Sequence, residues 1–424
     1  MAAVHPNRVR STLNAEMAAL VLSVLVTASW LAFLFCLPAK LRMFRRIPTR
    51  DEPSRSLAEV SIVIPARNEA ENLPRCLVTL AAQDMPPREI VVVDDESTDG
   101  TVAVAQSAGV RVISVPKRPA GWIGKTWAAH QGARVARGDW LLFLDADVEL
   151  APAAVRAALV EAERRQAAVL TVIWRPEWST FWEALVQPTL ALLVLSHFAP
   201  ARVNDPEDPH ASASGGFLLF RREAYEAIGG HEAVRDQVMD DYRLAKAIKA
   251  RGLRLLVVNA SHLVTIRRRQ SIGDMWNQSC RVLGGGLVGR PWAGVCGAAS
   301  VAALFTGSQA AALWGLFAPG GATRHADLLV LLALLQTCTS AGVGCMLREA
   351  FDLDWRFFPL QSVGALFTVA SLAYASLASF GGGVRVRWRG RRLDALEVAS
   401  PLGHHGGRSD HTRSTTPSSP RSRA

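Results

Sequence analysis

The sequence has no two cysteines at C-x-x-C spacing. Its six cysteines (Cys36, Cys76, Cys280, Cys296, Cys338 and Cys345) lie far apart, mostly in apolar runs. That supports neither a structural zinc site nor a disulfide framework, and suits reduced, buried thiols. No long repeat is visible, and the G-x-x-x-x-G-K-[ST] spacing of a P-loop is absent. Aromatic and basic residues are not interleaved as an RNA-binding sheet requires. The net charge of +10 is clustered beside apolar segments and in the tail. Such a distribution fits an anionic membrane surface, so no nucleic-acid partner is expected. What the chain does have is apolar sequence, 50% of 424 residues, gathered in blocks. One to three domains are expected from the length, and the blocks read as a soluble domain attached to membrane spans.

After an N-terminal segment at 1–16, residues 17–37 are an uncharged apolar stretch of the length a bilayer requires. Lys40, Arg42, Arg45, Arg46 and Arg50 stand after it, against only Arg8 and Arg10 before it. This order argues against a signal peptide and puts the chain beyond the span in the cytoplasm by the positive-inside rule. Beyond a polar linker at 49–59 the pattern becomes β/α. Strands are predicted at 60–65, 90–93, 110–115 and 140–144, with helices at 69–82, 101–108 and 126–136. A helix at 155–166 and a strand at 168–174 come next. The alternation predicts a parallel sheet with helices on both faces. Ligands of such sheets gather beyond the carboxyl ends of the strands.

Residues 181–198 are strongly apolar but hold Glu183, Gln187 and Pro188, which predicts an interfacial or buried helix. The polar stretch 204–214 is a candidate lid, and a helix from about 238 to 250 stops at Gly252. Three more apolar stretches come at 293–317, 328–346 and 359–380, the first rich in Gly, Ala and Ser. One span before the domain and three after it would leave the basic segment 384–392 outside, against positive-inside bias. A re-entrant 293–317 removes the conflict, and the side of the C-terminus stays open. Residues 400–424 have no core-forming content and are predicted to be disordered.

Polar residues punctuate the strand ends. The apolar run 140–144 ends in Asp145-Ala146-Asp147. In extended geometry the two carboxylates project from one face and suit a Mg²⁺-type cation shared with substrate phosphates; the plain alternative is a solvated turn. Asp94 and Asp95 close the second strand. Ser97 or Asp99 would cap the next helix, which leaves two carboxylates before the turn unexplained. Pro65-Ala66-Arg67-Asn68-Glu69 opens a helix whose amides face an anion or a base. Lys125, after a glycine-flanked loop, reaches a diphosphate as a point charge or is an ordinary surface lysine. Asp240 and Asp241 stand in the first turn of a helix, where they also complement its dipole. Arg267-Arg268-Arg269 before a membrane region reads as positive-inside anchoring.

Taken in order, S-I-V-I-P-A-R-N-E-A-E-N-L (61–73), V-V-V-D-D-E-S-T-D-G-T (91–101), G-K-T-W-A-A (124–129), D-A-D (145–147) and M-D-D-Y-R-L (239–244) resemble the membrane-bound family 2 glycosyltransferases. Within that family the chain looks most like the hopene-associated glycosyltransferases of bacteria, and it is also similar to ceramide glucosyltransferases. The resemblance implies an α/β fold: a GT-A (nucleotide-diphospho-sugar transferase, Rossmann-like) domain over 58–285 plus transmembrane helices. An anchor at 17–37 would precede it and a membrane region at 293–380 would come after, in a multi-pass protein of the cell membrane. It implies an inverting enzyme that moves a single sugar from a nucleoside-diphosphate sugar to a membrane lipid acceptor, hopanoid or otherwise lipidic, with Mg²⁺ or Mn²⁺ as cofactor. Pro65, Arg67 and Glu69 match the loop that holds the nucleotide, and Asp94 and Asp95 the pair from which one carboxylate reads the base. Lys125 matches a residue near the diphosphate. Asp145 and Asp147 match the metal-binding acids, Asp147 the more direct ligand. Asp241 matches the general base, with Asp240 beside it in the Glu position of the family's E-D pair. Gly215, Gly216, Gln278 and Arg281 fall on the acceptor and diphosphate side. The family's Q-x-x-R-W is broken, because Arg281 is followed by Val282, and this weakens any reading as a processive synthase. Two alternatives stand beside the main one. One is a polyprenyl-phosphate glycosyltransferase in which Arg267, Arg268 and Arg269 grip the lipid phosphate; the other is a non-catalytic membrane scaffold with a degenerate transferase domain.

Overall fold

The computed structural model describes residues 6–44, 46–49, 59–267, 270–285, 291–318, 321–351, 356, 358–380, 386–388 and 391–393. Residues 50–58 of the linker predicted at 49–59, Arg268, Arg269 and the predicted disordered tail at 400–424 lie outside the described residues. Helix α1 (Pro6–Leu41) leads to β1 (Val60–Ala66), α2 (Leu73–Ala81), β2 (Glu89–Asp94), α3 (Thr101–Ser107), β3 (Arg111–Ser114), α4 (Gly124–Val135) and β4 (Trp140–Leu144). Then come β5 (Val148–Leu150), α5 (Ala154–Arg164), β6 (Val169–Ile173), β7 (Arg175–Glu177), α6 (Phe181–Phe198), α7 (Pro200–Val203), β8 (Phe217–Arg221) and α8 (Arg222–Ala227). Last are α9 (Asp240–Ala250), β9 (Leu255–Asn259), β10 (Val264–Arg267), α10 (Ile272–Gly285), α11 (Pro291–Phe317), α12 (Ala326–Phe351), α13 (Gln361–Phe380), β11 (Val386–Trp388) and β12 (Arg391–Leu393).

Seven strands form one sheet in the order β3-β2-β1-β4-β8-β6-β9. Strand β4 is buried at every position, as its unbroken apolar run requires when both faces are covered. Along β1, Ile62 and Ile64 join the core over α2 and α5, while Val63, between them, joins the core over α4 and α9. The second core continues without a break into Val26, Trp30 and Phe305 of the long helices. Burying each such aliphatic side chain stabilises the fold by about 1.5–3 kcal/mol.

The sheet is mixed, not parallel. Strand β8 runs antiparallel to both β4 and β6, because the chain leaves β6 at the carboxyl edge, passes through α6 and re-enters the sheet from that same edge. Its start therefore meets the end of β4, with Phe217 opposite Leu144. That reversal brings Gly215 and Gly216 to the carboxyl ends of the parallel strands. Helix α2 begins at Leu73 and not near 69, since Asn68 sits at φ +52° and turns the chain first. Strands β5, β10 and β7 form a second, small sheet, tied to the first site loop where Arg267 N–H donates to Asp147 O at 3.1 Å.

Residues 204–214 do not form a free lid. Asn204 bonds both the N–H and the C=O of Val257, Arg202 pairs with Asp208 at 2.8 Å, and Trp174 Nε1 donates to Ser214 Oγ at 2.6 Å. Helix α6 opens with a capping box between Thr180 and Glu183, which satisfies its first amides. It packs so closely on α13 that a Cβ on Gly364 would stand 2.0 Å from Leu185 O.

Four helices among the described residues are long and apolar enough to cross a membrane: Leu13–Leu41, Trp292–Phe317, Ala326–Phe351 and Phe358–Ala378. The Gly- and Ala-rich stretch is thus one continuous helix of 27 residues. The sheet docks on this bundle through Asn259, the last residue of β9. Its Nδ2 donates to Phe44 O at 3.1 Å and Ala350 O at 2.8 Å, and its own carbonyl accepts from Ile47 N–H at 2.8 Å.

Candidate active site

The carboxyl ends of β1, β2 and β4 open into one cleft lined by Pro65, Arg67, Glu69, Asp95, Lys125, Asp145 and Asp147. Two loops make its near wall by lacing each other. Asn68 N–H donates to Ser97 Oγ at 3.0 Å, Thr98 N–H to Asn68 Oδ1 at 2.8 Å, and Glu69 N–H to Thr101 Oγ1 at 2.8 Å. Asn68 and Glu96 take φ of +52° and +56° to do so, a conformation Asn tolerates better than most residues. Arg67 Nη1 donates to Asp95 O at 2.5 Å and lies 3.9 Å from the Asp95 carboxylate. Asp94 is buried and accepts from Ser97 N–H at 3.2 Å, so it shapes the turn while Asp95 faces the cleft. Asp99, accepting from Thr101 N–H at 3.0 Å and Ala70 N–H at 3.1 Å, braces both loops.

Asp145 and Asp147 reach the cleft through a turn, with Val148 N–H donating to Asp145 O at 3.3 Å, and not through an extended pleat. Asp147 is 3% exposed. Lys125, in the first turn of α4, is no ordinary surface lysine: its Nζ lies 2.8 Å from Asp145 Oδ1. Burial alone would lower its pKa, but Asp145, Asp240 and Asp241 overturn that and push it up, so Lys125 is a fixed cation. The floor of the cleft is negative. Burial, then the charges of Asp147, Asp145 and Glu69, push the Cys76 thiol well above its ordinary value.

Among the described residues no three His, Cys, Asp or Glu side chains converge as a ready metal cage. Two carboxylates in a cleft with a lysine still fit a hard cation of the Mg²⁺ type. Such an ion takes one or two protein carboxylates and completes its shell with phosphate oxygens and water.

Gly215, just before β8, and Asp241 of α9 stand beside Lys125, next to the residues that line the cleft and not among them. Asp241 accepts from Gly215 N–H at 2.8 Å and Tyr242 N–H at 2.7 Å. A Cβ on Gly215 would stand 3.1 Å from Asp241 Oδ2 and 3.3 Å from Lys125 Nζ, so a side chain here would push both groups by a few tenths of an ångström. At Gly216 a Cβ would meet Ile266 Cδ1 at 2.6 Å. Burial, then the charge of Asp240, pushes the Asp241 carboxyl up to about 6, against the pull of Lys125. Burial also works to raise Asp240, but Lys125 and His231 prevail and hold it down at about 2. One buried pair thus divides into a carboxylate that stays ionised and one that takes the first proton.

Gln278 and Arg281 lie on α10 and are not among the residues that line this cleft. Gln278 ends a polar chain instead: Gln187 Nε2 donates to Gln270 Oε1 at 2.9 Å, Gln270 bonds Gln278, and Gln270 N–H donates to Glu183 Oε1 at 2.5 Å. Arg267 is paired with Glu177 and lies 3.7 Å from Glu149. His231, 3.7 Å from Asp240, belongs to the site although nothing in a one-letter reading separates it from a core histidine. The signal available is the Gly229-Gly230-His231 bend shortly before the acid pair.

Residues 61–229 match the family described as Glycosyl transferase family 2, and with the mixed sheet this stretch is a glycosyl transferase family 2 domain of GT-A fold. The 4,4'-diaponeurosporenoate glycosyltransferase of Staphylococcus haemolyticus (strain JCSC1435) is 40% identical over 109 residues, 25% of this chain and 29% of that protein. The protein of the same name from Staphylococcus aureus (strain MRSA252) is 28% identical over 239 residues, 54% of this chain and 62% of that one. The chain therefore spans less than two thirds of the length of these curated relatives. A mannosyltransferase from Pyrobaculum calidifontis, solved in complex with GDP-Man and Mn²⁺, is similar over 83% of this chain and 98% of that chain, at a TM-score of 0.45 and 16% identity.

Proposed function

We propose that this chain is an inverting glycosyltransferase that moves one sugar from a nucleoside-diphosphate sugar to an apolar lipid acceptor, with its catalytic domain on the cytoplasmic side of the cell membrane. The observation that carries the reading is the meeting of Lys125, Asp145 and Asp147 with Asp241 around Gly215. Pro65, Arg67, Glu69 and Asp95 hold the base and ribose of the donor. Lys125 sets its charge against the diphosphate as the bond from the anomeric carbon to the leaving oxygen breaks. Asp147, with Asp145, would hold Mg²⁺ or Mn²⁺, which supplies Lewis-acid neutralisation of the leaving diphosphate when bound. Asp241 takes the proton of an acceptor hydroxyl as its oxygen bonds the anomeric carbon from the opposite face, and the configuration inverts. The Gly215 and Tyr242 amides orient that carboxylate.

The relatives are named for a carboxylate acceptor, diaponeurosporenoate; the resemblance to hopene-associated enzymes suggests a hydroxyl on a hopanoid. The two differ in chemistry, since a carboxylate already bears its charge and needs no base. Asp241, with its raised pKa, favours the hydroxyl. Arg267 faces Glu177 and Glu149, which occupies one of the three arginines that a polyprenyl-phosphate reading would use; Arg268 and Arg269 lie outside the described residues.

The test is turnover of a panel of nucleoside-diphosphate sugars by detergent-solubilised protein, with and without Mn²⁺, with hydroxylated and carboxylated polyisoprenoids as acceptors. Metal-dependent transfer from one donor, lost in Asp147→Ala and Asp241→Ala, is expected. Turnover of no donor, even with membrane lipid extract supplied, would make the domain a scaffold.

A further inference from the structure

His231 has no part in donor or metal chemistry, yet it is built into the site with care. It is 1% exposed and sits in an aromatic box, 4.6 Å from the Phe143 ring and 5.6 Å from that of Tyr225. Gly229 and Gly230 make the bend that delivers it, at φ of +80° and +51°. A Cβ on Gly230 would lie 2.5 Å from the Tyr225 ring, so only glycine lets the two side chains meet.

The hydrogen bonds decide where the ring proton is. Tyr225 OH accepts from the backbone N–H of His231 at 3.0 Å and lies 2.8 Å from His231 Nδ1. Its own hydrogen then has Nδ1 as its acceptor, because a buried O–H left unpaired costs about 1–3 kcal/mol. With Nδ1 accepting, the imidazole proton stands on Nε2. That nitrogen faces Asp240 Oδ2 at 3.7 Å, longer than a hydrogen bond, so it acts as an oriented dipole on a buried carboxylate.

We infer that His231 is a positioning residue for the acid pair of α9: Tyr225 anchors it with its proton on Nε2, and this N–H keeps Asp240 ionised so that the acceptor's proton goes to Asp241. The inference rests on the proposed transferase reading for its catalytic half only. The low pKa of Asp240 accords with it, although Lys125 contributes more to that shift than His231. The groups that face His231 are Tyr225 on α8, Asp240 on α9 and His130 on α4, whose own pKa is lowered by burial and by His231 among others. Lys125 lies behind Asp240, and Arg222 and Glu226 act on Tyr225.

Two readouts test this. Selective ¹⁵N-histidine labelling of the full chain in detergent, with His231→Gln identifying the resonance, reads the tautomer without turnover. The proton is expected on Nε2 in the native chain and redistributed in Tyr225→Phe. The second readout is the pH profile of kcat for Tyr225→Phe and His231→Phe, which keeps an aromatic ring in the box. The acid limb is expected to move down by on the order of one pH unit with the donor KM unchanged, because Asp240 then takes the first proton and its charge no longer raises the pKa of Asp241. A proton found on Nδ1 overturns the inference. So does a uniform loss of kcat at every pH beside a lowered melting temperature, which marks packing alone. Should the native chain turn over no donor, the transferase reading falls by itself, and the ¹⁵N spectrum still decides the anchoring by Tyr225.

Discussion

Asp241 is held where a carboxylate is least comfortable, and its discomfort has two measurable sides. Burial and Asp240 raise its pKa to about 6, so below that pH it carries a proton and cannot accept another. Transfer to a hydroxyl acceptor is expected to fall about tenfold per pH unit below 6, as a kcat profile would record. Transfer to a carboxylate acceptor, if supported at all, should keep its rate in Asp241→Asn. Stability takes the opposite course. Because folding raises this pKa, the protonated form is the one folding favours; that contribution is complete below the ordinary carboxylate range and is lost as pH rises through about 6. At neutral pH the ionised group detracts from stability. Asp241→Asn should therefore raise the melting temperature by a few degrees near pH 7 and leave it unchanged near pH 4, while abolishing transfer to hydroxyls. Gly215 is the complementary case. The Cβ of Gly215→Ala would press on Asp241 and Lys125 at 3.1 and 3.3 Å. A drop in kcat of about 10- to 100-fold with a near-native melting temperature is expected, since small misplacements in a site cost rate more than stability.

At the scale of elements, β8 and the α6–α13 contact carry most of what the residues above depend on. The parallel strands and their terminal acids are legible in the sequence, because an apolar run followed by Asp has one sensible place in an α/β sheet. Asp95, Asp145 and Asp147 meet in one cleft as their positions at strand ends suggest, and Lys125 joins them from the first turn of α4. The reversed direction of β8 is not legible: Phe217–Phe220 is a buried run that suits either direction, and its partner strands are far away in sequence. Nor can spacing show that Asp94 serves a turn and Asp95 the cleft. The pairing of Gln278 with Gln270 across a gap between loop and helix depends on tertiary packing in the same way. Helix α6 is legible as apolar and interrupted, but its closeness to α13 rests on one glycine. Gly364→Ala would set a methyl 2.0 Å from Leu185 O. The helices must part, at a cost of about 1–3 kcal/mol, and a lowered melting temperature in detergent with loss of the Gln187–Gln270 contact is the expected result.

The whole molecule is an α/β domain joined to a bundle of long apolar helices by a shared core, and Asn259 is the polar clasp at that junction. Its amide holds the ends of α1 and α12 at once, while its carbonyl takes the chain that leaves α1. Asn259→Ala would remove the amide donor from the Phe44 carbonyl and leave the Ala350 carbonyl only the longer approach of Ser261 Oγ at 3.5 Å, at a cost of about 1–3 kcal/mol in all. Calorimetry of the solubilised protein is expected to show a lowered melting temperature, with the domain and the bundle still held by their shared core. A clasp of this kind does more than stabilise. In a bilayer it would set the altitude of the cleft above the lipid plane, as a fixed arm sets the height of a lathe tool. An acceptor would then be judged by how far its reactive oxygen rises from the hydrocarbon as well as by its shape. Bilayer thickness would then become part of the specificity of a transferase built this way.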